Sequence, residues 1–277
     1  MKPTDPRYIQ AQYASGDHLA VIADTHDRYG TAQEDVFTRL TRTLAEEGPA
    51  PRHVLDIGAG TGKWYASIRD HLGPPPRYTA VDQSMGMVQA VLRRIQGDPQ
   101  ARAVVGDARA LPFADGTFSW VGMHFVAYFL PDIEAGLLEA WRLVEPGGIL
   151  ACATNGRRPH YELWSLQEEA VRRLGLPGAE NSVTASDRFH LDNGSAYFPM
   201  PPCVYRWPAG FRFTEPEAVV RYLSAGPIRK HLGVHADDPS AQRAALDWIH
   251  AQVDAVIRAS GAFEVHSEVG FFLLRRA

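Results

Sequence analysis

Short apolar runs alternate with helix-compatible segments over the middle of the chain. The runs predict five strands, at residues 53–57, 78–81, 101–107, 118–129 and 149–154. The segments between them space their apolar residues as amphipathic helices do, at 64–72, 85–95 and 133–144. Strands that alternate with helices form a parallel sheet covered on both faces. The pattern therefore predicts a doubly wound α/β core over residues 51–155.

The pattern changes on both sides of this core. Residues 1–50 show helical spacing and are predicted to form an N-terminal helical lid. Residues 156–239 are rich in proline, glycine and aromatic residues and are predicted to form an inserted cap. Within the cap we expect a helix at 162–174 and a second helix that starts at Thr214, in a capping box with Glu217.

The C-terminal segment, residues 240–277, is predicted to complete the sheet. A helix at 241–260 precedes two strand-like runs, FEVHSEV and FFLLRR, which only Gly270 separates. So short a connection requires antiparallel pairing of the two runs. Together with the five core strands, they predict a mostly parallel seven-stranded sheet with an antiparallel strand at its C-terminal end.

Composition narrows the possible classes of function. The 277 residues carry a formal net charge of −4 and no basic block, which disfavours a nucleic-acid binder. Cys152 and Cys203 are the only cysteines, and no other residues have metal-ligand spacing, so we expect neither disulfides nor a metal. No apolar run approaches the ~20 residues of a membrane span, and the N-terminus has no secretory h-region. We therefore expect a cytoplasmic protein that does not act on a membrane.

The first predicted strand runs into a glycine-rich turn, with glycines at positions 58, 60 and 62. A dinucleotide-binding turn reads G-x-G-x-x-G, but Lys63 stands where the third glycine should fall. A P-loop needs serine or threonine after its lysine, and here Trp64 follows Lys63. Neither phosphate-binding pattern fits, and the spacing disfavours a nicotinamide-dependent oxidoreductase.

Three acids accompany the first three strands. Asp56 lies in the first, and Asp82 and Asp107 end the next two. In an open α/β sheet, ligands bind outside the carboxyl ends of the strands. A carboxylate after the second strand suits two ribose hydroxyls, and one after the third suits an adenine amino group. These positions predict an adenosine-bearing ligand with a positive or zwitterionic tail and no pyrophosphate.

These motifs resemble those of class I S-adenosylmethionine-dependent methyltransferases, in particular the methyltransferase type 11 group. VLDIGAGTG is similar to the first motif of that family, AVDQSMGMV to the second, GDARALPFADGTFSWV to the third and fourth, and LVEPGGIL to the post-strand motif. Their order and spacing match over residues 53–154. The segments HDRYG, TNGRRPHYEL and DRFHLDNGSA resemble a bacterial small-molecule subgroup. The resemblance implies a Rossmann-like fold, S-adenosylmethionine as cofactor and S-adenosylhomocysteine as product.

The resemblance also implies which residues hold the cofactor. The glycine turn would line the methionine part and the ribose, with Asp56 organising the turn. Asp82 would bind the ribose hydroxyls and Asp107 the adenine, while Tyr8, Tyr13 and Tyr29 would belong to a lid or pack in a core. The full implied cofactor set is Asp56, Gly58, Ala59, Gly60, Gly62, Asp82, Gln83, Ser84, Met85, Asp107, Ala108, His124 and Tyr29.

The acceptor side is harder to predict, because methyl transfer relies mainly on proximity and in-line geometry. His124, in the fourth strand segment, is the candidate catalytic base, with a packed ring as the alternative. The resembling subgroup often ends this segment in a Tyr-His pair, whereas here Phe129 follows Tyr128. Packing or capping is the alternative role for every candidate substrate contact, and these candidates are Tyr13, Tyr128, His160 and Trp207.

The predicted function is transfer of a methyl group from S-adenosylmethionine to an oxygen, nitrogen or carbon of a small organic acceptor. The aromatic residues of the cap favour an apolar or aromatic acceptor, in specialised metabolism. One alternative is a protein that binds the cofactor without transferring methyl, as a partner or a non-redox cyclase. A nicotinamide-dependent oxidoreductase and a nucleic-acid methyltransferase are less favoured. The pattern indicates no oligomeric state.

Overall fold

The computed structural model describes residues 17–175, 185–225 and 238–277. Seven strands are present in this part of the chain: β1 Val54–Ile57, β2 Tyr78–Asp82, β3 Ala101–Val105, β4 Phe118–Met123, β5 Val144–Asn155, β6 Cys203–Phe213 and β7 Phe263–Arg275. The helices are α1 Asp17–Tyr29, α2 Val36–Glu47, α3 Lys63–Leu72, α4 Met85–Arg94, α5 Ile133–Leu143, α6 Tyr161–Arg173, α7 Ala185–Arg188, α8 Pro216–Ser224 and α9 Pro239–Ser260.

The seven strands form one sheet in the order β3-β2-β1-β4-β5-β7-β6. Strands β1 to β5 are parallel, and β7 runs antiparallel between β5 and β6. This confirms the predicted fold class. The strand order reverses at β1, which pairs with β2 on one side and with β4 on the other. Loops that follow β1 and β4 therefore diverge, and a crevice forms at the carboxyl ends of these strands.

The buried apolar side chains of the described residues form separate clusters between the sheet and the helices that pack around it. Leu40 of α2 and Ile68 of α3 pack on one face, and Leu137 of α5 packs on the other. A third cluster lies beneath α1, α6, α8 and α9, where Phe211 and Phe213 of β6 are fully buried. Among the described residues, no helix is both long enough and apolar enough to cross a bilayer.

Two predicted strands differ in the structure. The apolar segment 118–129 is not one strand, because β4 ends at Met123 and residues Ala127–Phe129 form a short 3₁₀ turn. The predicted C-terminal hairpin is also wrong, since β7 continues straight through Gly270. A Cβ atom at Gly270 would lie 2.0 Å from the carbonyl oxygen of Tyr205. The glycine therefore permits close approach of β6 and does not form a turn.

The predicted cap segment supplies the edge strand β6 as well as helices. The capping box at Thr214 does not form, because α8 begins at Pro216 and its N-cap residue, Glu215, makes no side-chain capping bond. The Glu215 carboxylate instead accepts a hydrogen bond from the Tyr29 hydroxyl at the end of α1. A second link joins Arg221 of α8 to Asp24 of α1 at 2.5 Å. These contacts hold α1 against the cap helices.

Candidate active site

The glycine turn after β1 adopts a backbone that favours glycine at three positions. Gly58, Gly60 and Gly62 have φ values of 69°, 54° and 74°. A Cβ at Gly58 would lie 2.2 Å from Cγ2 of Val126, whereas a Cβ at Gly60 would meet no atom within 4 Å. Gly58 is therefore required by packing against the loop after β4. Gly60 borders open space, in which a ligand can approach the backbone.

Asp82 faces the same turn from the end of β2. Its Oδ2 accepts a hydrogen bond from the Gly60 amide at 3.0 Å, and its Oδ1 accepts from the Ser84 amide at 2.9 Å. Burial raises the pKa of Asp82, and these two amides oppose the rise. A carboxylate has about four acceptor sites, so two remain for ligand hydroxyls. Gln83 and Met85 are exposed beside it, with Met85 60% exposed.

Asp107, the predicted adenine contact, is engaged by a neighbouring arginine. Nη2 of Arg109 lies 2.6 Å from its Oδ2, and the Arg109 amide donates to its Oδ1 at 2.9 Å. The hydrogen bond from Arg109 lowers the pKa of Asp107, which is exposed and so remains ionised. Ala108 beside it is half-buried against the core. An adenine amino group would have to share this carboxylate with Arg109.

Asp56 does not organise the glycine turn through its side chain. Its carboxylate is 2% exposed and accepts a hydrogen bond from the Tyr78 hydroxyl of β2 at 2.6 Å. Burial raises the pKa of Asp56 to about 7, against the hydrogen bond from Tyr78, which lowers it. The structure places the Asp56 side chain in a buried pair between two strands. The turn is held instead by Arg94 of α4, whose Nε donates to the Thr61 carbonyl at 2.7 Å.

The Asp56–Tyr78 pair predicts a pH-dependent stability. In the folded protein the Asp56 carboxyl group stays protonated up to about pH 7, whereas in the unfolded chain it loses its proton near pH ~4. The free energy of unfolding therefore falls as pH rises between these two values. We expect Tyr78→Phe to lower the free energy of unfolding by about 1–3 kcal/mol. The loss should be larger at pH 8, where the ionised carboxylate lacks its donor, than at pH 5. Urea unfolding at both pH values measures this, and a larger loss at pH 5 would contradict it.

His124 is buried at the end of β4 among aromatic rings. Its ring lies 4.6 Å from that of Trp64 and 5.7 Å from that of Phe37, centroid to centroid. Its Nδ1 accepts a hydrogen bond from the Ala153 amide at 3.3 Å, so the neutral ring carries its proton on Nε2. Burial lowers the pKa of His124 to about 3. In this arrangement neither nitrogen offers a free lone pair, which argues against His124 as the general base.

A variant of His124 tests whether this residue acts as the base. We expect His124→Gln, which keeps an N–H donor, to leave the shape of the turnover-against-pH curve unchanged between pH 5.5 and 8.5. The reason is that a ring with a pKa of about 3 does not titrate in this range. Turnover is measured with the acceptor at saturation, and His250→Gln on the exposed face of α9 serves as the control. If the fall in turnover at low pH disappeared in His124→Gln and not in the control, His124 would be the general base.

The other predicted contacts fall in different places. Tyr29 packs against Phe213 at 5.1 Å and bonds Glu215, so it fastens α1 and does not line the glycine turn. Trp207 is 8% exposed, beneath the guanidinium of Arg39 and against Phe271. Tyr128 is half-buried in the 3₁₀ turn after β4. Tyr8 and Tyr13 lie outside the described residues.

His160 meets a residue that the sequence pattern did not single out. Its ring stacks on that of Phe211 at 4.7 Å, and the ring of His26, from α1, lies at 4.7 Å from the same phenylalanine. Val126, Arg94, Arg109 and His26 were all missed by sequence reasoning. Arg109, two residues from Asp107, had a local signal because a cation so close to an acid forms an ion pair, and His26 is the first residue of the HDRYG segment.

The comparisons with known proteins agree with this geometry. A family profile described as a methyltransferase domain matches residues 55–152. A malonyl-[acyl-carrier protein] O-methyltransferase of Halorhodospira halophila is 34% identical over 264 residues, which cover 93% of this chain and 83% of that protein. A demethylmenaquinone methyltransferase of Staphylococcus aureus is 33% identical over 98 residues, covering 35% of this chain and 41% of that protein.

A solved structure shows the same fold. The YcgJ protein of Bacillus subtilis aligns with a TM-score of 0.55 at 17% identity, over 87% of this chain and 98% of that chain. The sheet order and the antiparallel β7 define a Rossmann-like fold, in which the glycine turn faces Asp82. Because the similarity to the H. halophila enzyme spans nearly the whole chain, this protein belongs to the S-adenosylmethionine-dependent methyltransferase family. The predicted fold and enzyme class are thus confirmed.

Proposed function

We propose that the protein transfers the methyl group of S-adenosylmethionine to a carboxylate oxygen of a small organic acid or its thioester. The observation that carries this proposal is the state of His124, the candidate base, whose Nδ1 is occupied by the Ala153 amide. Without a base in that position, an acceptor whose nucleophile is already ionised reacts most readily. A carboxyl group with a pKa near ~4 is ionised at neutral pH.

The residues around the glycine turn fit S-adenosylmethionine. Asp82 retains two acceptor sites for the ribose hydroxyls, and the open space at Gly60 admits the ligand to the backbone. Lys63 is half-buried at the first residue of α3 and has no ion-pair partner within the described ranges, so its ammonium suits the methionine carboxylate. When bound, S-adenosylmethionine supplies the methyl group as a sulfonium.

The named substrates of the relatives support an oxygen acceptor. The H. halophila relative is named for methylation of a malonyl group on an acyl-carrier protein, and a malonyl thioester carries one free carboxylate. The shorter match is to an enzyme named for demethylmenaquinone, a different kind of acceptor. The longer similarity and the absence of a base at His124 favour the carboxylate. A role in specialised metabolism stays a prediction.

A labelled-methyl assay tests the proposed function. Protein and S-adenosylmethionine labelled in the methyl group are incubated with malonyl-acyl-carrier protein, with malonyl-N-acetylcysteamine and with demethylmenaquinone. A methyl ester releases its label as volatile methanol in alkali, whereas a methyl group on carbon or nitrogen remains in the product. We expect alkali-labile label from a malonyl acceptor. Label that resists alkali, or transfer to the quinone alone, would overturn the carboxylate assignment.

Ligand titration separates the alternative functions. We expect S-adenosylmethionine and S-adenosylhomocysteine to bind in calorimetric titrations and NAD(H) not to bind. Binding of both sulfur ligands without transfer to any acceptor would favour a cofactor-binding protein without methyl transfer. Binding of NAD(H) in their place would favour an oxidoreductase.

A further inference from the structure

Two histidines from different elements face each other across one phenylalanine. His26 comes from α1, and His160 is the residue that precedes α6. Their ring centroids are 6.2 Å apart, and each lies 4.7 Å from the ring of Phe211. The ring of Tyr222, from α8, lies 5.4 Å from Phe211 on the same apolar floor. The arrangement is therefore a pair of imidazoles above an aromatic surface.

This pair lies toward the glycine turn. His160 follows β5, at the same edge of the sheet as the loops after β1 and β4. After desolvation, the charge of Lys63, the residue after Gly62, is the largest influence on the pKa of His26. Asp35 and Asp27 act on it in the opposite direction. The charge of Lys63, the first residue of α3, therefore acts on His26.

The backbone holds both rings in place. His160 has φ 59°, and only Phe125 shares a positive φ among the non-glycine residues of the described ranges. Such a conformation costs roughly 1–2 kcal/mol and is concentrated at functional sites. His160 donates its amide to the His266 carbonyl at 3.2 Å, and its side chain makes no capping bond. On the other side, a bridge between Gly30 and Phe211 fixes the end of α1.

Within the described residues, the ring nitrogens of both imidazoles make no hydrogen bond. In residues 17–175, 185–225 and 238–277, no side chain or backbone group bonds a ring nitrogen of His26 or His160. His26 keeps exposed surface and His160 is half-buried, so the pair lies at the edge of the packed interior. Desolvation lowers the pKa of His26 to about 4 and that of His160 to about 3. At neutral pH each ring is uncharged and carries one N–H donor.

We propose that the N–H groups of His26 and His160 bind the carboxylate of the methyl acceptor above Phe211, an assignment that rests on the proposed function. Two donors can hold one carboxylate oxygen and leave the other to attack the methyl group. Uncharged donors suit this task, because a cation bound tightly to the carboxylate would weaken it as a nucleophile. His26 is then a specificity-determining residue supplied by α1.

Phenylalanine variants test the pair. His26→Phe and His160→Phe keep a ring against Phe211 and remove the donors. We expect each to raise the KM for malonyl-N-acetylcysteamine by about tenfold or more, since a hydrogen bond to a charged group is lost. Affinity for S-adenosylhomocysteine should remain within about twofold, because these residues lie outside the glycine turn. His26→Gln, which keeps an N–H donor, should recover part of the loss, and His250→Phe on α9 is the control for a remote histidine.

A binding measurement keeps this proposal separate from the proposed function. Imidazole proton resonances are followed by NMR in the complex with S-adenosylhomocysteine while malonyl-N-acetylcysteamine is added. Shifts of the His26 and His160 signals support the pair even if the wild-type protein transfers no methyl group to the thioester. In each phenylalanine variant the shift of the remaining histidine should become smaller. No shift of either signal, or an unchanged KM in both variants, would overturn it. If His160→Phe does not fold, His160→Gly, which tolerates a positive φ and has no side-chain donor, takes its place.

Discussion

Asp82→Asn is expected to weaken binding of S-adenosylhomocysteine by about 100-fold, the largest effect that the site predicts. The Asp82 carboxylate accepts from the Gly60 and Ser84 amides and retains two acceptor sites that face the turn. An asparagine loses the charge and has one oxygen with which to serve both amides and a ligand. Calorimetric titration of the two proteins measures the change, with Asp70→Asn on the exposed face of α3 as the control.

A double-mutant cycle with the ligand assigns this loss to the ribose. The wild-type protein is titrated with S-adenosylhomocysteine and with its 2′-deoxy analogue, and the Asp82→Asn protein is titrated with both. If Asp82 binds the ribose hydroxyls, the wild-type protein distinguishes the two ligands and the variant does not. Equal discrimination by both proteins would mean that the carboxylate acts only on the backbone of the turn. Thermal unfolding of the variant shows whether the turn itself has been weakened.

Gly60→Ala is expected to weaken cofactor binding by roughly 10- to 100-fold while the protein stays folded. Its Cβ meets no protein atom within 4 Å and so enters the space that a ligand needs. The positive φ of 54° adds a strain of roughly 1–2 kcal/mol to the folded state. Gly73→Ala is the matched control, because Gly73 has φ 79° and open space but lies at the far end of α3.

The comparison of these two alanine variants separates strain from obstruction. Both should lower the melting temperature by a similar amount, and only Gly60→Ala should raise the Kd for S-adenosylmethionine. Gly58→Ala extends the series, since its Cβ would lie 2.2 Å from Val126 and should destabilise the fold itself. If Gly60→Ala and Gly73→Ala bound the cofactor equally well, the glycine turn would not be the cofactor site.

The parallel core and the glycine turn could be predicted from the chain because both depend on local features. Apolar residues recur with a different period in strands and in helices, so the sequence of each segment indicates its conformation. Accordingly, α3, α4, α5 and α9 lie close to their predicted bounds. The turn was predictable because left-handed backbone favours glycine whatever surrounds it. Positions at the carboxyl ends of parallel strands follow from the sheet, which is why Asp82 was placed beside the turn.

Strand pairing beyond the parallel core could not be predicted in the same way. The apolar runs on either side of Gly270 predict a hairpin, but they form one strand, β7, between β5 and β6. A glycine inside an apolar segment is compatible with a turn and with close approach of a neighbouring strand. The neighbour here is Tyr205 of β6, which belongs to a segment rich in proline and aromatic residues. The choice between the two structures depended on a contact between distant residues.

The chemical state of the side chains depended on such contacts as well. Local sequence placed Asp56, Asp82 and His124 at the carboxyl edge of the sheet, because periodicity and backbone sterics act over a few residues. Whether each is available to a ligand was decided by partners 22 residues away for Asp56, at Tyr78, and 29 residues away for His124, at Ala153. Burial and hydrogen bonds set the pKa and the tautomer of a side chain, and both come from the packing of separate elements. The chain's own pattern therefore predicted a cofactor site, and its tertiary packing buried His124 against Ala153 and brought His26 to His160.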